Sequence, residues 1–206
     1  MSKMLRRTVE SLVSDKAPGP AVAFSVSHLL LALELIALKP LGRNRLAEEL
    51  GVGEGTVRTL IGRLRDAGLI SISKSGCVLT EKGTKLWKEY TSNLKKTTVE
   101  KNELAFAEFN VAVLVRKKAD GVSSGMEQRD AAVMAGAKGA TTVLFKKNRL
   151  VFPSSETDVT ESSPKASSQI MKLLKPEEND AIIIVSSGDR KKATQGALAA
   201  AWTLLD

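Results

Sequence analysis

Residues 44–69 read Asn-Arg-Leu-Ala-Glu-Glu-Leu-Gly-Val-Gly-Glu-Gly-Thr-Val-Arg-Thr-Leu-Ile-Gly-Arg-Leu-Arg-Asp-Ala-Gly-Leu, the stretch whose residue types and spacing point most directly to a chemical role. The pattern is a short helix, a glycine-bearing turn and a longer helix. Such a pair lets one helix lie in the major groove of DNA while the other braces it across the backbone. In the longer helix, Val57, Leu60, Ile61 and Leu64 recur at i, i+3, i+4 and i+7 and form the stripe that faces a core. The opposite face carries Gly55, Thr59 and Gly62, flanked by Arg58 and Arg63. Arginine bonds guanine edges or phosphates, and threonine meets a phosphate or a thymine methyl. Glycines let a helix backbone approach the groove floor, at a cost of about 1 kcal/mol each relative to alanine. Thr56 near the helix start is a further phosphate candidate. Arg43 and Arg45 at the start of the bracing helix, with Lys74 and Ser75 at the tip of a following hairpin, complete the candidate DNA-binding set.

Two stretches in the second half could hold a small anionic effector. Gly136-Ala137-Lys138-Gly139-Ala140-Thr141 is glycine-rich, and Lys138 and Gly139 could help cradle an anion, although the spacing and ending of a P-loop are missing. Ser186-Ser187-Gly188-Asp189 follows the clearest strand and opens a helix, where backbone N–H groups point outward, so Ser187 and Gly188 are the matching candidates. An ordinary turn and an ordinary helix cap explain the same residues, and that plainer reading is favoured. Arg129 and Asp130 are adjacent on a helix and so do not face one another. His28 is isolated on an apolar helix and Cys77 has no neighbouring His, so no catalytic residue is assigned. One thiol and one imidazole in the whole chain argue against a metal site, and no cofactor is expected.

The elements that must position these residues follow from composition and pattern. The chain has 206 residues, 31 Lys plus Arg against 23 Asp plus Glu, and a net charge of +8. That length allows one large or two small domains. Residues 1–100 hold 16 basic and 10 acidic side chains, and residues 101–206 hold 15 and 13. The basic excess therefore sits in the N-terminal half, as expected for a partner of polyanions, though a solvated surface would look the same. A single Cys fits a reducing compartment, and the start lacks the apolar run of a signal peptide, so a cytoplasmic location is expected. Residues 21–38 are apolar but carry Ser25, Ser27, His28 and Glu34, which reads as a core helix rather than a membrane span.

Along the chain, the pattern predicts a helix over 2–14, a break at Ala17-Pro18-Gly19-Pro20, helices over about 24–38, 44–50 and 54–67, a hairpin over 70–79 and a helix from Thr80. The polar run 96–103 is read as a linker between a domain at 1–95 and one at 104–206. The second half predicts strands at 109–115, 141–145, 150–152 and 181–185, with a hairpin turn at Lys147-Asn148. Helices are predicted over 126–137, 164–174 and 190–205, and a loop over 153–163. The order β-α-β-β-α-β-α fits a ferredoxin-like split βαβ sheet with one added helix, and a small doubly wound sheet is the runner-up. The fold class is thus α+β. In the last helix, Ala193, Ala197, Ala200, Ala201 and Leu204 form one stripe and Leu198, Trp202 and Leu205 a second, wider together than one sheet face requires. The second stripe is expected to meet another surface, a homodimer partner first and the N-terminal domain second.

The stretch 46–83, including Leu-Thr-Glu-Lys-Gly at 79–83, resembles the winged helix-turn-helix domain of prokaryotic and archaeal transcriptional regulators, over about residues 24–95. More loosely, Gln128-Arg129-Asp130-Ala131-Ala132 and Gly136 to Thr142 resemble an archaeal winged-helix group whose C-terminal domain has no assigned role. The resemblance implies a transcriptional regulator that binds double-stranded DNA sequence-specifically, and a second domain that dimerises or senses an effector. Glu54 and Asp66 depart from a strongly basic recognition helix. Two rivals stand beside this reading. One is an enzyme recruited to nucleic acid by its first domain; the other is a non-enzymatic adaptor in transcription or RNA metabolism.

Overall fold

Residues 3–14, 22–155 and 157–205 are described in the computed structural model, and they divide into two units meeting between Ser92 and Asn93. The expected break at 17–20 lies outside the described residues.

The first unit is built on a helix that is apolar on nearly every side. Its elements are α1 (Lys3–Val13), α2 (Val26–Leu38), α3 (Arg43–Leu50), α4 (Glu54–Asp66), strands β1 (Ile70–Ser73) and β2 (Gly76–Leu79), and α5 (Glu81–Ser92). Leu29, Leu30 and Leu33 of α2 are fully buried, as such a helix requires. Leu46 and Leu50 of α3 and Val57, Leu60, Ile61 and Leu64 of α4 are buried with them, which is the stripe read from the spacing. His28 sits in the first turn of α2 rather than standing alone. Its Nδ1 accepts the Ser25 backbone N–H at 3.1 Å, closing a capping box at the helix N-terminus. Gly51, at φ +69°, ends α3 and turns the chain into α4.

Thr80 and Gly83 explain the Leu-Thr-Glu-Lys-Gly stretch. The Thr80 hydroxyl donates to the Gly68 carbonyl at 2.6 Å and accepts from the Gly83 N–H at 3.0 Å. A Cβ on Gly83 would collide with the carbonyl of Leu69, so only glycine lets α5 lie this close.

The second unit contains β3 (Leu94–Thr98), β4 (Phe109–Val115), a 3₁₀ turn (Ala119–Gly121) and α6 (Met126–Met134). It continues with β5 (Gly139–Lys146), β6 (Arg149–Val151), α7 (Val159–Ser162), α8 (Pro164–Leu174), β7 (Asp180–Ser187) and α9 (Arg190–Trp202). Its five-stranded sheet runs β3-β4-β7-β5-β6 with every neighbouring pair antiparallel. From β4 onward the elements follow the expected βαββαβα order with α7 added, but the strand order is not ferredoxin-like. In that fold, also antiparallel, the third of the four strands inserts between the first and the second. Here β7 inserts between β4 and β5, and a doubly wound sheet is excluded because no neighbours are parallel. The turn at Lys147 and Asn148 has φ of +51° and +59°, the mirror-image geometry that suits a two-residue hairpin. α7 interrupts the stretch expected to be a loop, with Asp158 capping it through the Thr160 N–H at 2.7 Å.

Two further expectations are corrected. Residues 94–98, assigned to the end of the first domain and the start of a linker, form an edge strand of the second unit. Lys95 donates to the Leu174 carbonyl at the end of α8, at 3.1 Å. Its polar sequence suits an edge, where lysine discourages further pairing. In α9, Leu198 and Leu205 are 2% and 0% exposed in the single chain, and Trp202 is half-buried. The helix packs against β4, β7 and α6, so its second stripe is already covered and is not an open dimer surface.

Candidate nucleic-acid interface

The hairpin is fixed to the rest of its unit by a short bridge. Leu41 and Cys77 exchange N–H···O bonds of 3.2 and 2.8 Å, so the chain just before α3 lies alongside β2. The approach is so close that a Cβ on Gly76, which sits at φ +121°, would stand 2.5 Å from the Leu41 carbonyl carbon. This contact carries Arg43, two residues on, to the side of the hairpin tip.

The result is a cleft of about 580 Å³ between α4 and the hairpin. Its charged lining comes from three elements: Arg43 from α3, Arg58 and Arg65 from α4, and Lys74 from the hairpin tip. Ile61, Ile72 and Cys77 supply apolar lining. Arg58 and Lys74 are exposed, and neither makes an ion pair or hydrogen bond with the described residues. Arg43 lies 3.9 Å from Glu54, and Arg65 lies 3.3 Å from Asp66. Four cations therefore share one cleft, with two carboxylates at its margins. Burial pushes the Cys77 thiol up from its ordinary value, which keeps it protonated at neutral pH.

The structure sorts the sequence candidates. Arg43, Arg58, Lys74 and Ser75 meet at the cleft. Gly55 and Thr59 are on the exposed face of α4, with the Thr59 hydroxyl donating back to the Gly55 carbonyl at 3.2 Å. Thr56 is half-buried and outside the cleft lining. Arg45 is held on its own helix by Glu48 and Glu49 at 2.7 and 2.6 Å.

Arg63 is the main correction. Its Nη1 donates to the Leu12 and Ser14 carbonyls at 2.8 and 2.6 Å, and its guanidinium lies 5.8 Å from the Phe24 ring centre. It ties down the end of α1 and does not share the cleft with Arg58. The reason is angular, since five residues along a helix place two side chains about 140° apart at 3.6 residues per turn. Arg65, seven residues from Arg58, falls back on the same flank, and its spacing was the signal for it.

Gly55 and Gly62 are notable for what does not surround them. A Cβ at either would meet nothing within 4 Å. The protein's own packing requires neither glycine.

In the second unit, the two candidate effector stretches adjoin, because β5 and β7 are antiparallel neighbours with Gly139 opposite Ser186. The Lys138 N–H donates to the Ser186 carbonyl at 2.8 Å, and the Lys138 side chain passes beside Gly188. Ser187 is buried, and its hydroxyl accepts the Asp189 N–H at 3.2 Å. The N-terminus of α9 is already occupied. The Asp189 carboxylate accepts the N–H groups of Lys191 and Lys192 at 2.8 and 3.0 Å, and the Lys192 N–H is the largest influence holding its pKa below the usual carboxylate value. An anion at this helix end would meet a carboxylate already in its place.

Among the described residues no helix is long and apolar enough to cross a membrane. The architecture is that of a mixed α+β protein with a helical first unit and an antiparallel sheet in the second. The family model for the N-terminal domain of PH0730-like proteins matches residues 28–85, and a Domain of unknown function (DUF4443) matches residues 106–204. A solved structure described as "Hypothetical protein PH0730 from Pyrococcus horikoshii OT3" is similar at 30% identity, covering 88% of this chain and 92% of that one with a TM-score of 0.71. No curated protein matches. The chain belongs to the PH0730-like family.

Proposed function

We propose that this chain binds double-stranded DNA through the cleft between α4 and the hairpin, and that it acts inside the cell as a non-enzymatic transcriptional regulator. The first unit is read as a winged helix-turn-helix, with α3 as the bracing helix, α4 facing the major groove and β1–β2 as the wing. The observation that carries the reading is the convergence of Arg43, Arg58, Arg65 and Lys74 on one cleft. α4 also presents Gly62 in the cleft lining and Gly55 on its exposed face, and the Cβ positions of both stand open. The second unit is read as the regulatory half, with Lys138 as the cation available to an anionic effector. The reading needs no dimer through α9.

The test is fluorescence anisotropy of a labelled duplex against ionic strength. Each neutralised phosphate releases counterions, so the affinity should fall steeply as salt rises. Arg58→Ala and Lys74→Ala should weaken binding while leaving the melting temperature in place. A flat salt response, or no retention of duplex at low salt, would remove the proposal.

A further inference from the structure

Side chains that read base edges in the major groove are long or forked donors and acceptors placed on the groove-facing side of a helix. The solvent side of α4 is poor in them. Gly55 and Gly62 have no side chain, and the Thr59 hydroxyl is already bonded to the Gly55 carbonyl. Asp66 is an anion at the helix end, 3.3 Å from Arg65. Arg63, the remaining long donor on the far flank, is turned to the Leu12 and Ser14 carbonyls. The cations that remain lie along one cleft and come from α3, α4 and the hairpin tip. A row of charges drawn from separate elements matches a line of phosphates better than it matches the floor of one groove.

Resting on the DNA reading above, we infer that this chain grips duplex DNA by its phosphate backbone and discriminates only weakly among base sequences. Arg43, Arg58, Arg65 and Lys74 follow one phosphate track, and the bare face of α4 lets the helix backbone settle toward the groove without reading it. Sequence preference then enters through the shape and deformability of the duplex. Glu54 and Asp66 oppose the phosphates at the two ends of the helix and keep the grip moderate.

The experiment measures dissociation constants for a set of unrelated mixed-sequence duplexes of equal length, each over a range of salt. The expected spread at one salt concentration is under about tenfold, against the 10³-fold or more that separates specific from non-specific sites for proteins that read bases. Four phosphate contacts give a slope of log affinity against log salt of about −3.6 per bound chain. Arg58→Ala should weaken every duplex alike and reduce the slope by about 1. Arg58→Lys should restore most of the loss, because a phosphate asks for charge where a guanine edge asks for the planar fork. Asp66→Asn should tighten binding to all duplexes. The inference is overturned if one sequence is preferred by more than about a hundredfold, or if lysine at position 58 restores nothing. Those outcomes leave the DNA reading standing. If no duplex binds at low salt, the DNA reading fails and this inference fails with it.

Discussion

Gly62 lies in the interior of α4, where glycine is less favourable than alanine by about 0.8–1.0 kcal/mol. A methyl group added there meets nothing within 4 Å, so neither a clash nor new burial offsets that difference. Gly62→Ala should therefore stabilise the first unit by about 0.8–1.0 kcal/mol. For a unit of this size, that is a rise in melting temperature of about 3–8 °C, read by calorimetry on the full chain. Gly83→Ala makes the same chemical change with the opposite result. Its Cβ would run into the Leu69 carbonyl, and relieving such an overlap costs about 1–3 kcal/mol. The two variants together separate helix propensity from packing. The functional half of the prediction is that Gly62→Ala, though more stable, binds duplex DNA several-fold more weakly, because the methyl stands where the groove must approach. An unchanged or lowered melting temperature would refute the stability argument. A stabilised variant with undiminished DNA affinity would show that this face of α4 is turned away from the duplex.

Three other substitutions test particular placements. Arg63→Ala should lower stability by about 1–2 kcal/mol through loss of charge-assisted bonds to the Leu12 and Ser14 carbonyls, and expose the end of α1 to limited proteolysis, with little effect on DNA affinity. Burial holds the His28 pKa below 6.5, so the folded protein keeps this ring neutral while the unfolded chain takes up the proton first as pH falls. The capping contribution is thus intact above pH 6.5 and is lost as pH falls through the lowered folded value. Thermal melts between pH 7.5 and 5.5 should show this loss, and His28→Gln, a residue that also serves a capping box, should flatten it. Leu198→Ala should cost about 2–5 kcal/mol in chemical denaturation because the side chain is buried in the single chain, and sedimentation should show the same oligomeric state as the parent.

Much of the local architecture could be read from the residues alone. The strand at Phe109–Val115 and the helix at Pro164–Leu174 have the bounds that their periodicity and the helix-opening proline indicate. The buried stripe of α4 and the turn at Lys147-Asn148 were equally plain, since each depends on residues within a few positions of one another. Strand 94–98 is not legible in the sequence because an exposed edge strand is polar and lacks a strong alternation of apolar residues.

What the order of residues could not decide was who meets whom across long separations. Arg58 and Arg63 look equivalent in a helical pattern, yet one is open to solvent and the other is bonded to a carbonyl 51 positions away. The insertion of β7, in place of β6, between β4 and β5 replaced the expected ferredoxin-like strand order and brought Lys138 beside Gly188. Helical and strand periods are properties of the adjacent backbone and so are written locally in the chain. Strand order, the partner of a guanidinium and the gathering of four cations into one cleft depend on contacts that exist only after the chain has folded back on itself.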